Sequence, residues 1–244
     1  LTALDRMAAL ADNAHAIRRT AQGMREATSS MGGGRIVALA SFLPEISSHD
    51  DRSREKAILA LKFLTRTAET LCSTGTGPRV IEIVAGNRIE GVWPGTDKEA
   101  PEYRRDVYVA NISSAKEGLG RLCASLRMLS ETARSAGVSF AIELEPGPLC
   151  LLNDLESLRQ LCALLDAEFE DLNPFVGLNV DVAHWHLAGI GVEALSLPMI
   201  RNRVLHAHIA DFGAGHFGDV PLLRIHDRSF FRRWIRAIAS AGAG

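Results

Sequence analysis

A chain of 244 residues, 47% hydrophobic and 23% charged, can bury one large α/β core or two small ones and has the make-up of an ordinary globular protein. A formal net charge of -2 gives no basic excess for nucleic acid, and no charge run suits a membrane surface. No apolar stretch reaches the roughly 18 residues that cross a bilayer, and no secretory leader is visible, so a cytoplasmic protein is expected. Residues 1–27 are Ala-rich and free of proline, which predicts one helix broken by Gly32, Gly33 and Gly34. Residues 36–41 form a short buried strand. From Asp51, the recurrence of Ile58, Leu61, Leu64, Ala68 and Leu71 every three or four residues predicts an amphipathic helix. Val80–Val84 is the second strand. A long polar segment, 86–111, carries Trp93-Pro94-Gly95. Leu119, Leu122, Leu126, Leu129 and Ala133 mark the next helix, ending at Gly137. A third strand covers 140–145; Asn153-Asp154 then caps a helix bearing Leu155, Leu158, Leu161 and Leu165. Strands at Val176–Asp181 and 205–209 follow, with a short helical region between them. Phe230, Phe231, Trp234, Ile235 and Ile238 line a last helix.

Strands and helices thus alternate with about two dozen residues or more per unit, the pattern of right-handed βαβ crossovers and a parallel sheet. No shift of composition marks a domain boundary, so residues 1–244 are read as a single domain. No GxGxxG follows the first strand and no GxxxxGK[ST] occurs, which disfavours an open nucleotide-binding sheet and favours a closed barrel. Cys72, Cys123, Cys150 and Cys162 form no CxxC pair and are expected to be reduced thiols.

Side-chain alternation makes the second half informative. In the third strand Phe140, Ile142 and Leu144 face one side; Ala141, Glu143 and Glu145 face the other. In the fourth, Val176, Leu178 and Val180 oppose Gly177, Asn179 and Asp181. In the fifth, His206 and His208 oppose Leu205 and Ile209. Three consecutive strands therefore show a greasy face for helices and a face with Glu, Asp and His near the C-terminal end, where (β/α) barrels hold their active sites. Buried carboxylates are costly unless paired or bound to a metal, and Glu, Asp and His together suit Mn²⁺, Mg²⁺, Co²⁺ or Zn²⁺. Taken singly, each has a plainer explanation: a strand-end Glu is commonly a solvated rim residue, Asp181 can cap the following helix, and a buried His is commonly hydrogen-bonded core.

The stretches Gly137-Val138-Ser139-Phe140-Ala141-Ile142-Glu143, Val176-Gly177-Leu178-Asn179-Val180-Asp181-Val182-Ala183-His184 with Leu187-Ala188-Gly189, and Val204-Leu205-His206-Ala207-His208-Ile209-Ala210-Asp211 resemble the xylose-isomerase-like sugar-phosphate isomerase/epimerase superfamily. The resemblance covers the second half of the chain; the first half fits as generic βα units. It implies a parallel (β/α)8 TIM barrel, with the first one or two strands and the eighth not recognisable. The chain begins at Leu1 and stops at Ala-Gly-Ala-Gly after a helix, so truncation at both ends is expected. By resemblance Glu143, Asp181 and His208 take the metal-ligand positions, with Glu145 as rival first ligand or substrate contact. His184 and His216, the latter in the Gly-rich loop 213–219, take substrate-contacting positions. The fourth ligand of the pattern, a Glu on the eighth strand, has no counterpart here.

The implied activity is divalent-metal-dependent isomerisation or epimerisation of a small sugar or hydroxy-carbonyl compound through an enediolate, with Glu143 as a proton-transferring base. The expected partner is a small-molecule sugar, without nucleic acid or membrane, and a homo-oligomer is compatible with the sequence. Two rivals stand beside it. An endonuclease IV-like metal phosphodiesterase shares the fold and an Asp-x-x-His motif like Asp181-Val182-Ala183-His184, but it generally uses more histidines, and the net charge disfavours a DNA-binding face. A non-enzymatic sugar-binding or scaffold barrel is the other.

Overall fold

The Ala-rich opening divides in two. In the computed structural model, which describes residues 2–73, 77–88, 114–169, 175–213 and 219–242, helix α1 (Ala3–Ala9) and helix α2 (Ala14–Ser30) replace the single helix expected over 1–27. The cause is local: Asn13 turns its side chain onto the Ala16 N–H and caps α2, while Thr2 and Asp5 make a reciprocal capping box on α1. Strand β1 (Ala38–Ser41) starts two residues later than the apolar run suggests. Helix α3 (Asp51–Cys72) is capped by Asp50, and strand β2 (Val80–Val84) follows. Helix α4 (Ala115–Ala136) begins at the Ser114 cap and ends on Gly137, whose φ of 62° a side chain would strain.

Strand β3 (Ser139–Glu143) stops short of Glu145, whose N–H donates to the Leu152 carbonyl in a turn instead of a strand ladder. Helix α5 (Leu155–Phe169) is held at its start by Asp154, whose Oδ1 accepts the Ser157 N–H at 2.7 Å. Strand β4 (Val176–Asp181), helix α6 (Val182–Leu187) and strand β5 (Val204–His208) follow. A small antiparallel ribbon, β6 (Asp211–Phe212) with β7 (Asp219–Val220), precedes helix α7 (Arg228–Ser240). In α7 the buried stripe is Phe231, Trp234 and Ile238; Ile235, expected among them, falls at the stripe's edge and is exposed. The polar segment 86–111 lies outside the described residues from position 89 on.

β1 to β5 pair in sequence order, each parallel to the next, as right-handed crossovers require. The sheet curls, so that β5 approaches β2 and β3 across its concave side. Among the described residues these five strands form a curled half-barrel, with helices on the convex face, consistent with an incomplete (β/α) barrel. Leu39, Ile81, Ile83, Phe140, Ile142, Leu178 and Val180 form one buried core with Leu61, Leu64, Leu122, Leu126, Leu158 and Leu161 of α3, α4 and α5. Each such side chain stabilises the fold by about 1.5–3 kcal/mol, which is why a strict hydrophobic alternation fixes which strand face is outward. Among the described residues no helix is long and apolar enough to cross a membrane, and all four cysteines are free.

Candidate metal centre

The concave face is built in rows. Register places Ala40, Glu82, Ala141 and Gly177 side by side across β1 to β4, and above them Val84, Glu143, Asn179 and His206 across β2 to β5. Asp181 lies opposite His208 at the ends of β4 and β5. Barrel interiors usually hold bulky branched residues. The lower row here has two alanines, a glycine and a carboxylate, which leaves Glu82 room to reach upward.

β5 departs from simple alternation. Leu178 pairs with Val204, but Asn179 pairs with His206, so Leu205 is an extra residue at a bulge. Its side chain fills the space a Cβ on Gly177 would take, with Leu205 Cγ at 2.7 Å. Leu205 therefore lies against the side of β4 that carries Asn179, not on the helix-facing side that alternation assigned to it. Val204 takes the helix-facing place and is buried in the core.

Glu143 and Asp181 are 6% and 1% exposed, low enough that their charges must be met inside the protein. His208 Nδ1 lies 3.6 Å from Glu143 Oε1 and 3.6 Å from Asp181 Oδ2. Ligand atoms held about 2.1 Å from one tetrahedral ion sit about 3.4 Å apart, so this spacing suits a shared cation. On the other edge of the ring, His208 Nε2 meets Glu82 Oε2 at 2.9 Å. His184 is drawn in by the turn after β4: its N–H donates to Asp181 Oδ1 at 2.9 Å, so Asp181 caps α6 and faces the cluster at once. The ring's Nδ1 donates to the Leu144 carbonyl at 3.2 Å and lies 3.4 Å from Glu143 Oε1 and 3.8 Å from Glu145 Oε2. Glu143, Asp181 and His184 each present a ligand atom within 4.8 Å of the others, as do Glu82, His206 and His208.

Electrostatics follow from this crowding. His208 is pushed up to about 12 by its contacts with Asp181, Glu143 and Glu82. Burial opposes the charge on His184, but Glu143, Asp181 and Glu145 prevail and push it up to about 9. Burial also opposes ionisation of Glu143, yet its contacts with His184, His208 and Glu82 hold it below the usual carboxylate range. Glu82 is pushed up to about 7 by burial and by the neighbouring Glu143, against the pull of His208. Burial depresses His206. The site thus gathers carboxylates with the imidazolium charges that balance them, and a divalent cation can take over that balance. Among the described residues, neither side-chain amide atom of Asn179, which is 1% exposed, has a hydrogen-bond partner, and its carbonyl oxygen lies on the same face.

Of the residues singled out in the sequence, Glu143, Asp181, His208 and His184 come together, Glu145 stands at their edge half-buried, and His216 lies outside the described residues. Glu82 was missed, and His206 was seen to face inward without being given a role. The signal for Glu82 was present: in Val80-Ile81-Glu82-Ile83-Val84, a charge alternates with two isoleucines in the middle of a buried strand.

A profile of the xylose isomerase-like TIM barrel matches residues 5–238. The chain belongs to that family. This xylose isomerase-like barrel also matches solved structures. One is an IolI protein with a bound zinc atom, at 19% identity and TM-score 0.57, covering 96% of this chain and 71% of that one. The 3-keto-D-glucoside 4-epimerase YcjR from E. coli matches at 19% identity and TM-score 0.60, covering 93% of this chain and 76% of that one. A D-tagatose 3-epimerase-like protein matches at 14% identity and TM-score 0.60, with 92% and 73% covered. At these identities the likeness is one of fold. No curated protein matches this family member in sequence.

Proposed function

We propose that this barrel is a divalent-metal-dependent isomerase or epimerase of a small sugar or hydroxy-carbonyl compound. The observation that carries the reading is the placement of His208 Nδ1 at 3.6 Å from each of two almost fully buried carboxylates, Glu143 and Asp181, on the concave face of three consecutive strands. Glu143, Asp181 and His208 would hold the ion, with His184 close enough to join them. A divalent metal held by these residues would supply Lewis acidity to a substrate carbonyl. Glu143 is ionised and can take a proton next to that carbonyl. His184, anchored through Leu144 and the α6 turn, and Glu145 at the edge can orient substrate hydroxyls. Support comes also from the fold neighbours, one named as an epimerase and one as an epimerase-like protein.

The test is metal analysis of purified protein followed by assays on a panel of ketoses and keto-sugars, with and without added Mn²⁺, Mg²⁺, Co²⁺ or Zn²⁺. One metal-dependent isomerisation or epimerisation is the expected result. Protein that takes up no metal and changes no sugar sinks the proposal and leaves a sugar-binding or scaffold barrel. The second set of possible ligands, Glu82, His206 and His208, gives the phosphodiesterase rival its one structural argument. An aryl phosphodiester in the same panel separates the two chemistries.

Metal uptake should depend on pH in a predictable direction. His208 keeps its proton up to about 12 and His184 up to about 9, so an imidazole nitrogen that coordinates a metal at neutral pH must first release a proton. Affinity should therefore rise with pH, about tenfold per unit for each proton released, and fall in acid. A chelator-competition titration from pH 6 to 8 reads this directly. A flat profile would show that neither histidine is a ligand.

A further inference from the structure

We propose that Glu82 is the positioning residue for His208: its carboxylate accepts the Nε2 proton and so commits Nδ1 to the ion held by Glu143 and Asp181. The inference rests on the metal reading above and assigns a role to a residue which that reading does not use.

The two nitrogens of an imidazole point away from each other, and the bond made by one decides what the other can do. Here the two edges face different company. Nε2 lies 2.9 Å from Glu82 Oε2, an ordinary N–H···O distance, whereas Nδ1 lies 3.6 Å from each of two carboxylates, too far for hydrogen bonds and close to the spacing of ligands about one ion. Glu82 has been given the means to make this contact. It is 7% exposed, and its neighbours along the row, Ala40 and Ala141, are too small to obstruct it. The curl of the sheet brings β5 across to β2, so a residue far away in the strand order meets His208 from below. A buried carboxylate without a partner would be costly, and His208 is the partner the structure provides. An anionic acceptor on the far nitrogen also makes the coordinating nitrogen a stronger donor.

The competing assignment makes Glu82 itself a ligand, with His206 and His208, of a separate ion. That would require Nε2 to be bare and would leave a proton on Nδ1 facing Glu143 and Asp181. The two assignments predict opposite tautomers. We would label the histidines with ¹⁵N, load the protein with Zn²⁺, and read the His208 ring by long-range ¹H–¹⁵N spectra, with Zn²⁺ affinity and stoichiometry measured in parallel. Expected are one Zn²⁺ at the cluster, metal on Nδ1 and a proton on Nε2. Glu82→Ala should weaken Zn²⁺ binding about 10–100-fold at unchanged stoichiometry, and Glu82→Gln, which keeps an acceptor oxygen, should lie between it and wild type.

Metal on Nε2, or two Zn²⁺ falling to one in Glu82→Ala, overturns the proposal in favour of a ligand role. Wild-type affinity in a folded Glu82→Ala protein overturns it outright. A wild type that binds no Zn²⁺ defeats the metal reading first. Glu82 is then judged by solvent exchange of the His208 Nε2 proton, which should be slow in wild type and fast in Glu82→Ala; equal rates end the proposal.

Discussion

Asp181→Asn should abolish the proposed binding of a divalent metal while leaving the protein folded. Asn keeps the shape of Asp and its ability to cap, so the bond from the His184 N–H to Oδ1 that starts α6 survives. What disappears is the charge facing His208 Nδ1, which burial to 1% exposure keeps from being replaced by solvent. Loss of a charged ligand should weaken metal binding beyond the roughly 10–100-fold typical of an outer partner, and any metal-dependent turnover should go with it. The apolar side of β4, Val176, Leu178 and Val180, packs away from the site, so the metal-free protein should still fold, with its melting temperature lowered only by the loss of the Asp181–His208 ion pair. Calorimetric metal titration and thermal melts of both proteins check the two halves. Asp181→Ala is the control: it should lose the metal and about 0.5–2 kcal/mol of stability as well, because the cap goes. If Asp181→Asn binds metal like wild type, Asp181 is a helix cap and no more.

Gly177→Ala should damage fold and site together. A Cβ there would meet the Arg203 carbonyl oxygen at 2.3 Å and Leu205 Cγ at 2.7 Å. Leu205 can change rotamer, but the Arg203 oxygen belongs to the backbone and accepts the Leu178 N–H at 2.7 Å, so it moves only if β5 moves. Overpacking of this kind costs about 1–3 kcal/mol. Because the same bulge sets His206 beside Asn179 and His208 beside Asp181, displacement of β5 should also weaken metal binding. A chemical denaturation midpoint and a metal titration on the same preparation test the coupling. Stability close to wild type would mean that β5 can move away from residue 177 at no cost, and would sink the coupling.

The sequence by itself determined the outer face and the strand-end chemistry. The fourth strand was legible to the residue, Val176–Asp181, because a period-2 pattern can bury its apolar set on one side only. The same alternation put Glu143, Asp181 and His208 on one face, and the motifs around them carried the family resemblance that the profile match bears out. Asp181 as helix cap was equally legible, and the structure shows that capping and facing the cluster do not compete, since its two oxygens point to different partners.

Tertiary structure decided the rest. The break at Asn13 turned on a side-chain bond that composition does not reveal. The bulge at Leu205 depends on the missing side chain of Gly177 in a different strand, so alternation within β5 could not anticipate it. Glu82 stands some sixty residues before Glu143 and still meets His208, because the sheet curls and the residues beside Glu82 are small. Local pattern fixes which way a side chain leaves its strand; only the closure of the sheet, a matter of long-range packing, fixes what it meets on the other side.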